Sequence, residues 1–361
     1  MRPRDPHPPQ EAEAVSAGVS LISIGLRDER DLSLRALDEA RRCDALYVET
    51  YTTKLDTTPE RLAALIGRPV EPLPRSRMEE EADALLDEAR RRRVGVLVGG
   101  DCLTATTHIS LLLDARRRGI PTRVVHGSSI LTAVAETGLS PYKFGRTVTL
   151  PLPEKGPADT VLNAVAENLV RGLHTLILLD LDAEADRHLT ISQAIQILLD
   201  ADRPHAFNPE TLTVAVARLG SETATIRAGK ASEIAVEDHG PPPHTLIIPG
   251  HLHFLEAEAL KTIGNCPDTA LKGWKPRGEI DRLIEKYARS CRGAIDGLRL
   301  GALPREIGEK EVKDLIEHAE RYLRDAMYYA SERRATALSS VCYSEGILDA
   351  LRLLGLVDFE W

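Results

Sequence analysis

The stretch LVGGDCLTATTH (97–108) gathers residue types that handle ligands: two glycines, an acid, a thiol, a histidine and the threonines Thr104, Thr106 and Thr107. Glycine lets backbone approach a bound molecule closely. Asp or Thr at a helix start caps free N–H groups. No Gly-Lys-Ser/Thr follows the glycines and they do not spell GxGxxG, so neither a P-loop nor a dinucleotide fingerprint is present. A ligand other than a nucleoside triphosphate fits better, and a plain helix cap after a strand is the alternative.

Other chemistry-bearing spacings have a structural reading beside the functional one. His251 and His253 in GHLHF face one side of a strand, where they could bind a metal, but no partner ligand is evident. Asp180 and Asp182 in LLDLD mimic a magnesium pair or a solvated strand end. Cys102 with His108 holds the parts of a Cys/His nucleophile; a small buried residue at the turn is the plainer reading. Tyr322, Tyr328, Tyr329 and Tyr343 could stack on bases, yet their helical spacing suits core packing. No metal site is assigned.

The elements that must position these residues alternate. VSLISIGL (19–26), YVETY (47–51), VGVLVGG (94–100) and TRVVHG (122–127) read as strands, and 32–46, 58–67, 79–93 and 105–119 as helices. This β-α rhythm predicts a mainly parallel sheet, whose ligands sit outside the carboxyl ends of the strands, where Gly25, Gly99 and Gly127 fall. A second α/β domain with a mixed sheet is predicted from strands near 147–153, 174–182, 211–221 and 244–250 and helices at 158–172 and 190–202. GNCPDTALKGWKPRG (264–278) is turn-rich and reads as a linker. Three helical stretches follow without a strand. The expected organisation is an N-terminal extension (1–18), an α/β domain (19–125), a second α/β domain (126–263), the linker, and a small all-α module (279–361).

The bulk numbers agree. The chain has 361 residues, 43% hydrophobic and 28% charged, as in soluble globular proteins. A net charge of −9 argues against a general polyanion binder, and no direct nucleic-acid binding is expected. Cys43, Cys102, Cys266, Cys291 and Cys342 form no CxxC pair, which suits reduced thiols in a cytoplasm. No apolar run approaches the ~18–20 residues that cross a bilayer, so no membrane association is expected. MRPRDPHPPQEAEAVSAG lacks a signal-peptide core and reads as disordered.

Six stretches in order carry a resemblance: IGLRDERDLS (24–33), GGDCLTATTH (99–108), YKFG (142–145), RGLHTLILLD (171–180), TIRAG (225–229) and PPHTLIIPGHLHFLEAEAL (242–260). Residues 20–263 resemble the archaeal diphthine synthases of the tetrapyrrole-methylase-like superfamily. YSEGILDALRLLG (343–355) is similar to a small archaeal helical domain of unknown function. The resemblance implies a two-lobed fold with a cofactor cleft between two α/β domains, a homodimer, and S-adenosylmethionine as methyl donor. It further implies that the acceptor is the amino group of a 3-amino-3-carboxypropyl histidine on translation elongation factor 2, trimethylated to diphthine. The implied cofactor contacts are Leu26, Asp101, Thr104, Ser129, Ile130, Leu179, Leu219 and His244. In that role Asp101 would compensate the cationic donor or hold its amino-acid or ribose portion. No catalytic side chain is assigned, since solvent can take the amine's proton. The sequence departs from the family at Cys102, where proline is usual, at HGSSI (126–130) in place of HAPSI, and at Thr104, often valine. A corrinoid or ribosomal RNA methylase of the same fold, or a non-catalytic interaction protein on a degenerate methylase, stays open.

Overall fold

The computed structural model describes residues 17–183, 185–201, 206–276, 279–305, 307–330 and 333–361. The expected disordered extension lies outside the described residues except for its last two, and Gly18 already begins the first strand.

The first lobe runs β1 (Gly18–Gly25), α1 (Leu34–Arg42), β2 (Ala45–Glu49), α2 (Pro59–Ile66), β3 (Glu71–Leu73), α3 (Ala82–Ala89), β4 (Arg93–Gly99), α4 (Ile109–Arg117) and β5 (Thr122–Val125). Its strands are all parallel in the order β3-β2-β4-β1-β5. The central strands are apolar on both faces because helices cover both. Val19, Leu21, Val94 and Val96 pack with Leu86 and Leu112 on one side. Ile22, Ile24 and Leu97 pack with Ala36, Ala40 and Leu62 on the other. Helix α2 is bounded as its sequence predicts: the Thr58 hydroxyl accepts from Arg61 N–H, Pro59 opens the helix, and Gly67 at φ 82° closes it.

The second lobe contains α5 (Ile130–Ala133), β6 (Val148–Leu150), α6 (Asp159–Val170), β7 (Thr175–Leu179), β8 (Leu181–Asp182), β9 (Arg187–His188) and α7 (Ile191–Asp200). It continues through β10 (Leu212–Ala217), β11 (Thr225–Lys230), α8 (Ala231–Ile234), β12 (His244–Ile248), α9 (Phe254–Thr262) and α10 (Asp268–Gly273). The main sheet has the order β11-β10-β12-β7-β6. It is mixed: β6 and β7 are parallel and the other neighbours antiparallel.

Several expected elements differ. The helix expected over 105–119 begins only at Ile109, because the preceding residues form a turn on Asp101 and Ala105 sits at φ 56°. The strand expected over 174–182 breaks at Asp180, whose carboxylate accepts from Leu152 and Leu181 N–H; a small β8–β9 hairpin follows. The 79–93 helix shortens to α3. Strands β3 and β11 had no expectation, being edge strands without clean alternation. The expected linker at 264–278 is part of the second lobe as far as it is described. Cys266 and Ala270 are buried, and Trp274 packs against both of the lobe's cores. Apolar burial, invisible in a turn-rich reading, holds this segment down.

The final module consists of α11 (Glu279–Gly297), α12 (Glu309–Tyr329) and α13 (Arg334–Leu353), with β13 (Arg299–Leu300) paired to β14 (Val357–Asp358). Ile284, Cys291, Leu323, Val341 and Leu348 fill its core. Among the described residues, the two-residue ladder is the departure from an all-helical module. No described helix is long and apolar enough to cross a membrane.

Candidate active site

Parallel strands β1 and β4 end side by side, and the first turn of the site is tied across them. Gly100 N–H donates to the Gly25 carbonyl at 2.7 Å and Gly25 N–H returns to Gly100 at 3.2 Å. Cys102 N–H donates to Ser23 Oγ at 2.9 Å. Asp101, 8% exposed, organises the rest. Its Oδ1 accepts from Leu103 N–H at 3.0 Å and Thr104 Oγ1 at 3.3 Å; its Oδ2 meets His126 Nδ1 at 2.8 Å and accepts from Gly127 N–H at 3.2 Å. Burial alone would raise this carboxyl, but the Leu103, His126 and Gly127 donors outweigh it and hold it below its ordinary range. Four donors use the lone pairs of the carboxylate. Asp101 thereby shapes the loop that carries Gly100 and Thr104, and it lines the cleft itself. Gly100, at φ 67° with open space where a Cβ would stand, presents bare backbone to the cleft.

A second buried acid shapes the adjoining wall. Glu49, at the end of β2, accepts from the N–H groups of Tyr51 and Thr52 and from the Thr52 hydroxyl. Thr52, so held, and the adjacent Thr53 line the cleft.

The second lobe supplies a more apolar wall. Ser129 Oγ accepts from Leu131 N–H and caps α5, leaving Ile130 at the cleft. Leu179 ends β7, Leu219 follows β10 and His244 begins β12. His244 Nε2 donates to the Gly240 carbonyl at 3.0 Å. Its Nδ1 is then an acceptor, and it is buried with no hydrogen-bond partner among the described residues. Burial pushes this ring down to about 4, only partly opposed by the Gly240 bond, so it is neutral at pH 7. Arg218, at φ 54°, anchors the loop before His244: its guanidinium donates to the carbonyls of Thr223, His239 and Pro241.

Leu26, Asp101, Thr104, Ser129, Ile130, Leu179, Leu219 and His244 all line one cleft between the lobes, with about 910 Å³ of space continuous with solvent. Thr52, Thr53, Ala105, Val216 and Arg218 also line it and had not been singled out. Arg218 offered a readable signal, a lone cation in an apolar strand end (TVAVARLGS). The threonines offered none.

The tetrapyrrole (corrin/porphyrin) methylase profile matches residues 18–235, and the profile of a protein of unknown function, DUF357, matches 286–357. Diphthine synthase of Methanothermobacter thermautotrophicus is 41% identical over 271 residues, covering 73% of this chain and 98% of that one. Diphthine synthase of Methanosarcina mazei is 38% identical over 264 residues, covering 70% and 98%. A crystal structure of diphthine synthase superposes with a TM-score of 0.66 at 33% identity, covering 70% of this chain and 98% of that one. The chain belongs to the tetrapyrrole methylases, in their diphthine synthase branch.

In this methylase, parts of three of the resembling motifs meet away from the cleft at one buried acid. Glu256 Oε1 is 3.0 Å from His174 Nε2 and accepts from Ser140 N–H at 2.9 Å; Oε2 accepts from His253 N–H at 2.7 Å and pairs with Lys143. His174 Nδ1 accepts from Gly250 N–H at 2.9 Å, so both ring nitrogens are used. YKFG, RGLHTL and PGHLHFLEAEAL are thus joined by a structural clamp. Burial opposes ionisation of Glu256, yet Lys143 and the His253 and Ser140 N–H groups outweigh it and bring the carboxyl down to about 2.

The other constellations resolve locally. His253 caps α9 and its ring lies against Phe254, while His251 packs on Gly172. Among the described residues no group of three or more His, Cys, Asp or Glu is placed to hold a metal. Asp180 pairs with Lys155 at 2.9 Å, and Asp182 accepts from Ala185 N–H at 3.0 Å. Cys102 is buried and its thiol is raised, chiefly by that burial. Tyr329 packs against the helical core. Tyr343 and Tyr328 are 61% and 78% exposed, so core packing does not account for those two.

Proposed function

We propose that this chain is a diphthine synthase, transferring methyl groups from S-adenosylmethionine to the amine of a 3-amino-3-carboxypropyl histidine on elongation factor 2 and giving the trimethylated product. The single observation that supports it most is the convergence of the eight family-matched positions on one interlobe cleft, whose lining residue His244 has a neutral Nδ1 acceptor with no hydrogen-bond partner among the described residues. Such an atom is costly to leave unpaired, and an exocyclic adenine amine is a donor that would satisfy it. Leu26, Ile130, Leu179 and Leu219 would box the base. Gly100, lacking a side chain, would let the polar part approach closely, with Thr104 and Ser129 at its edge.

When bound, S-adenosylmethionine supplies an electrophilic methyl carbon on a sulfonium. The chain's part is to hold the two reactants in line, which removes an entropic barrier of up to ~7–11 kcal/mol in favourable cases. The nitrogen forms its bond to carbon as the carbon–sulfur bond breaks, and its proton goes to solvent. We assign no catalytic side chain: the Asp101 lone pairs are taken, and the His244 ring is too weakly basic. We further infer a cytoplasmic homodimer, with the helical module serving docking or stability.

Calorimetry with S-adenosylmethionine, then labelled methyl transfer to elongation factor 2 carrying the precursor, tests the reading. Expected is binding by the wild type and label on the factor. Label on a corrinoid or ribosomal RNA instead would transfer the activity to those substrates. A silent titration would leave a degenerate scaffold.

A further inference from the structure

Beside the cleft lies a second chamber that shares Leu26, Arg218, Leu219 and Pro243 with it, so the two adjoin across these residues. Its chemistry is different. Three of its lining side chains, Arg27, Lys54 and Arg218, are cations and one, Asp56, is an acid. Arg218 is spent on backbone carbonyls. Arg27 and Lys54 are not comparably held. Arg27 Nη2 lies 3.4 Å from Asp56 and Lys54 Nζ 2.7 Å from Asp186, and those carboxylates are 69% and 80% exposed. Arg27 Nε lies 3.9 Å from Asp28, whose carboxylate is already bonded to Arg30 at 3.0 Å. Ion pairs with such exposed partners are worth about 0–1 kcal/mol. A carboxylate brought into the chamber competes with them on favourable terms.

We propose that this chamber receives the acceptor's amino-acid head, with the carboxylate between Arg27 and Lys54 and the amine at the threshold shared with the cleft. The inference rests on the diphthine synthase reading, in which the accepting amine and a carboxylate are borne by the same carbon. Fixing that carboxylate fixes the nitrogen two bonds away and aims it at the cleft, which is how remote binding serves an in-line displacement. Arg27 and Lys54 touch none of the reacting atoms, so they are positioning residues. Leu26, Leu55 and Leu219 give the chamber apolar walls that leave the charged end as the point of recognition.

The donor also carries an amino-acid end, so the test separates the two sources. Full-length protein with Arg27→Gln, Lys54→Gln and both together is titrated with S-adenosylhomocysteine. Its affinity for precursor-bearing elongation factor 2 is then measured in the presence of S-adenosylhomocysteine, without turnover. Expected for the double variant is a loss of about tenfold or more in factor affinity and a matching rise in KM. S-adenosylhomocysteine affinity stays within about twofold, kcat falls about tenfold as well because the nitrogen is no longer aimed, and Lys54→Arg alone keeps most of the wild-type affinity. Unchanged factor affinity overturns the proposal. So does an equal loss of S-adenosylhomocysteine affinity, which assigns the chamber to the donor. A wild type that binds S-adenosylhomocysteine yet never methylates the modified factor overturns the parent reading and this one with it, before any variant is made.

Discussion

The two ends of the second lobe's sheet each carry a histidine, one buried and one half-buried, and the two are used in opposite ways. At the far end His174 has both ring nitrogens bonded, to Gly250 and Glu256, and Trp274 Nε1 donates to the Gly250 carbonyl at 3.3 Å. At the cleft end His244, four residues before Ile248 on the same strand β12, keeps Nδ1 unpaired. Saturated polar groups rigidify a fold. An unsatisfied one costs stability and waits for a partner. One residue type on one sheet thus marks a structural pole and a binding pole, and residue type alone does not say which.

The largest expected effect breaks the structural pole. Ending the chain after Gly264 removes Cys266, Ala270 and Trp274 from the lobe's cores, so we expect an unfolded or insoluble product. Ending it after residue 278 keeps them, and we expect a folded protein with measurable methyl transfer, checked by circular dichroism and the labelled assay. Next, Glu256→Ala leaves His174 and Lys143 without their shared partner, and should cost about 3–5 kcal/mol in denaturant unfolding. Donor affinity of the folded fraction should change little, because the cleft is at the other end of the sheet.

Acid probes the same pole without mutation. The folded Glu256 carboxyl titrates near 2, below its ordinary 4.5. Its contribution is complete above pH 4.5 and disappears as pH falls toward 2, an expected loss of about 3 kcal/mol. Burial lowers the His174 ring as well, so its contribution also falls with acid below pH 6.5. Unfolding curves from pH 7 to 3 should therefore weaken steadily, and Glu256→Ala should flatten the lower part. Equal acid sensitivity in that variant would refute the clamp.

Smaller effects lie at the binding pole. Asp101→Asn puts amide hydrogens against N–H donors; we expect about 1–3 kcal/mol less stability together with weaker donor binding. His244→Leu should do the reverse in kind, weakening S-adenosylmethionine about tenfold, or ~1.4 kcal/mol, while leaving Tm unchanged or higher. A fall in Tm with unaltered affinity would place His244 with His174 as structure.

Much of this was legible in the chain. Alternating apolar runs and helical stripes predicted both lobes, the mixed sheet and the helices of the terminal module. Family motifs picked positions that share one cleft. Local chemistry misled where tertiary contacts took over. Thr104, Thr106 and Thr107 suggested an early helix cap, but Asp101 spends its oxygens on the turn and α4 starts at Ile109. Gly99 lines the cleft as its place at a strand end suggested, and a Cβ there would also strike Thr53 at 2.2 Å, so its bareness serves the protein's own packing as well. Thr52 and Thr53 had no motif at all; Glu49 holds Thr52 at the site.

The sequence by itself determined which segments bury their apolar faces, because periodicity is a property of neighbours along the chain, and so it determined the lobes and their order. It also marked Asp101 and His244 as residues of consequence. Only the tertiary structure decided what each one does. Whether a polar atom is spent or free depends on donors that arrive from elsewhere in the chain, such as His126 and Gly127 for Asp101, or Lys143, Ser140 and His174 for Glu256. Those encounters are set by folding in three dimensions, and no local pattern records them.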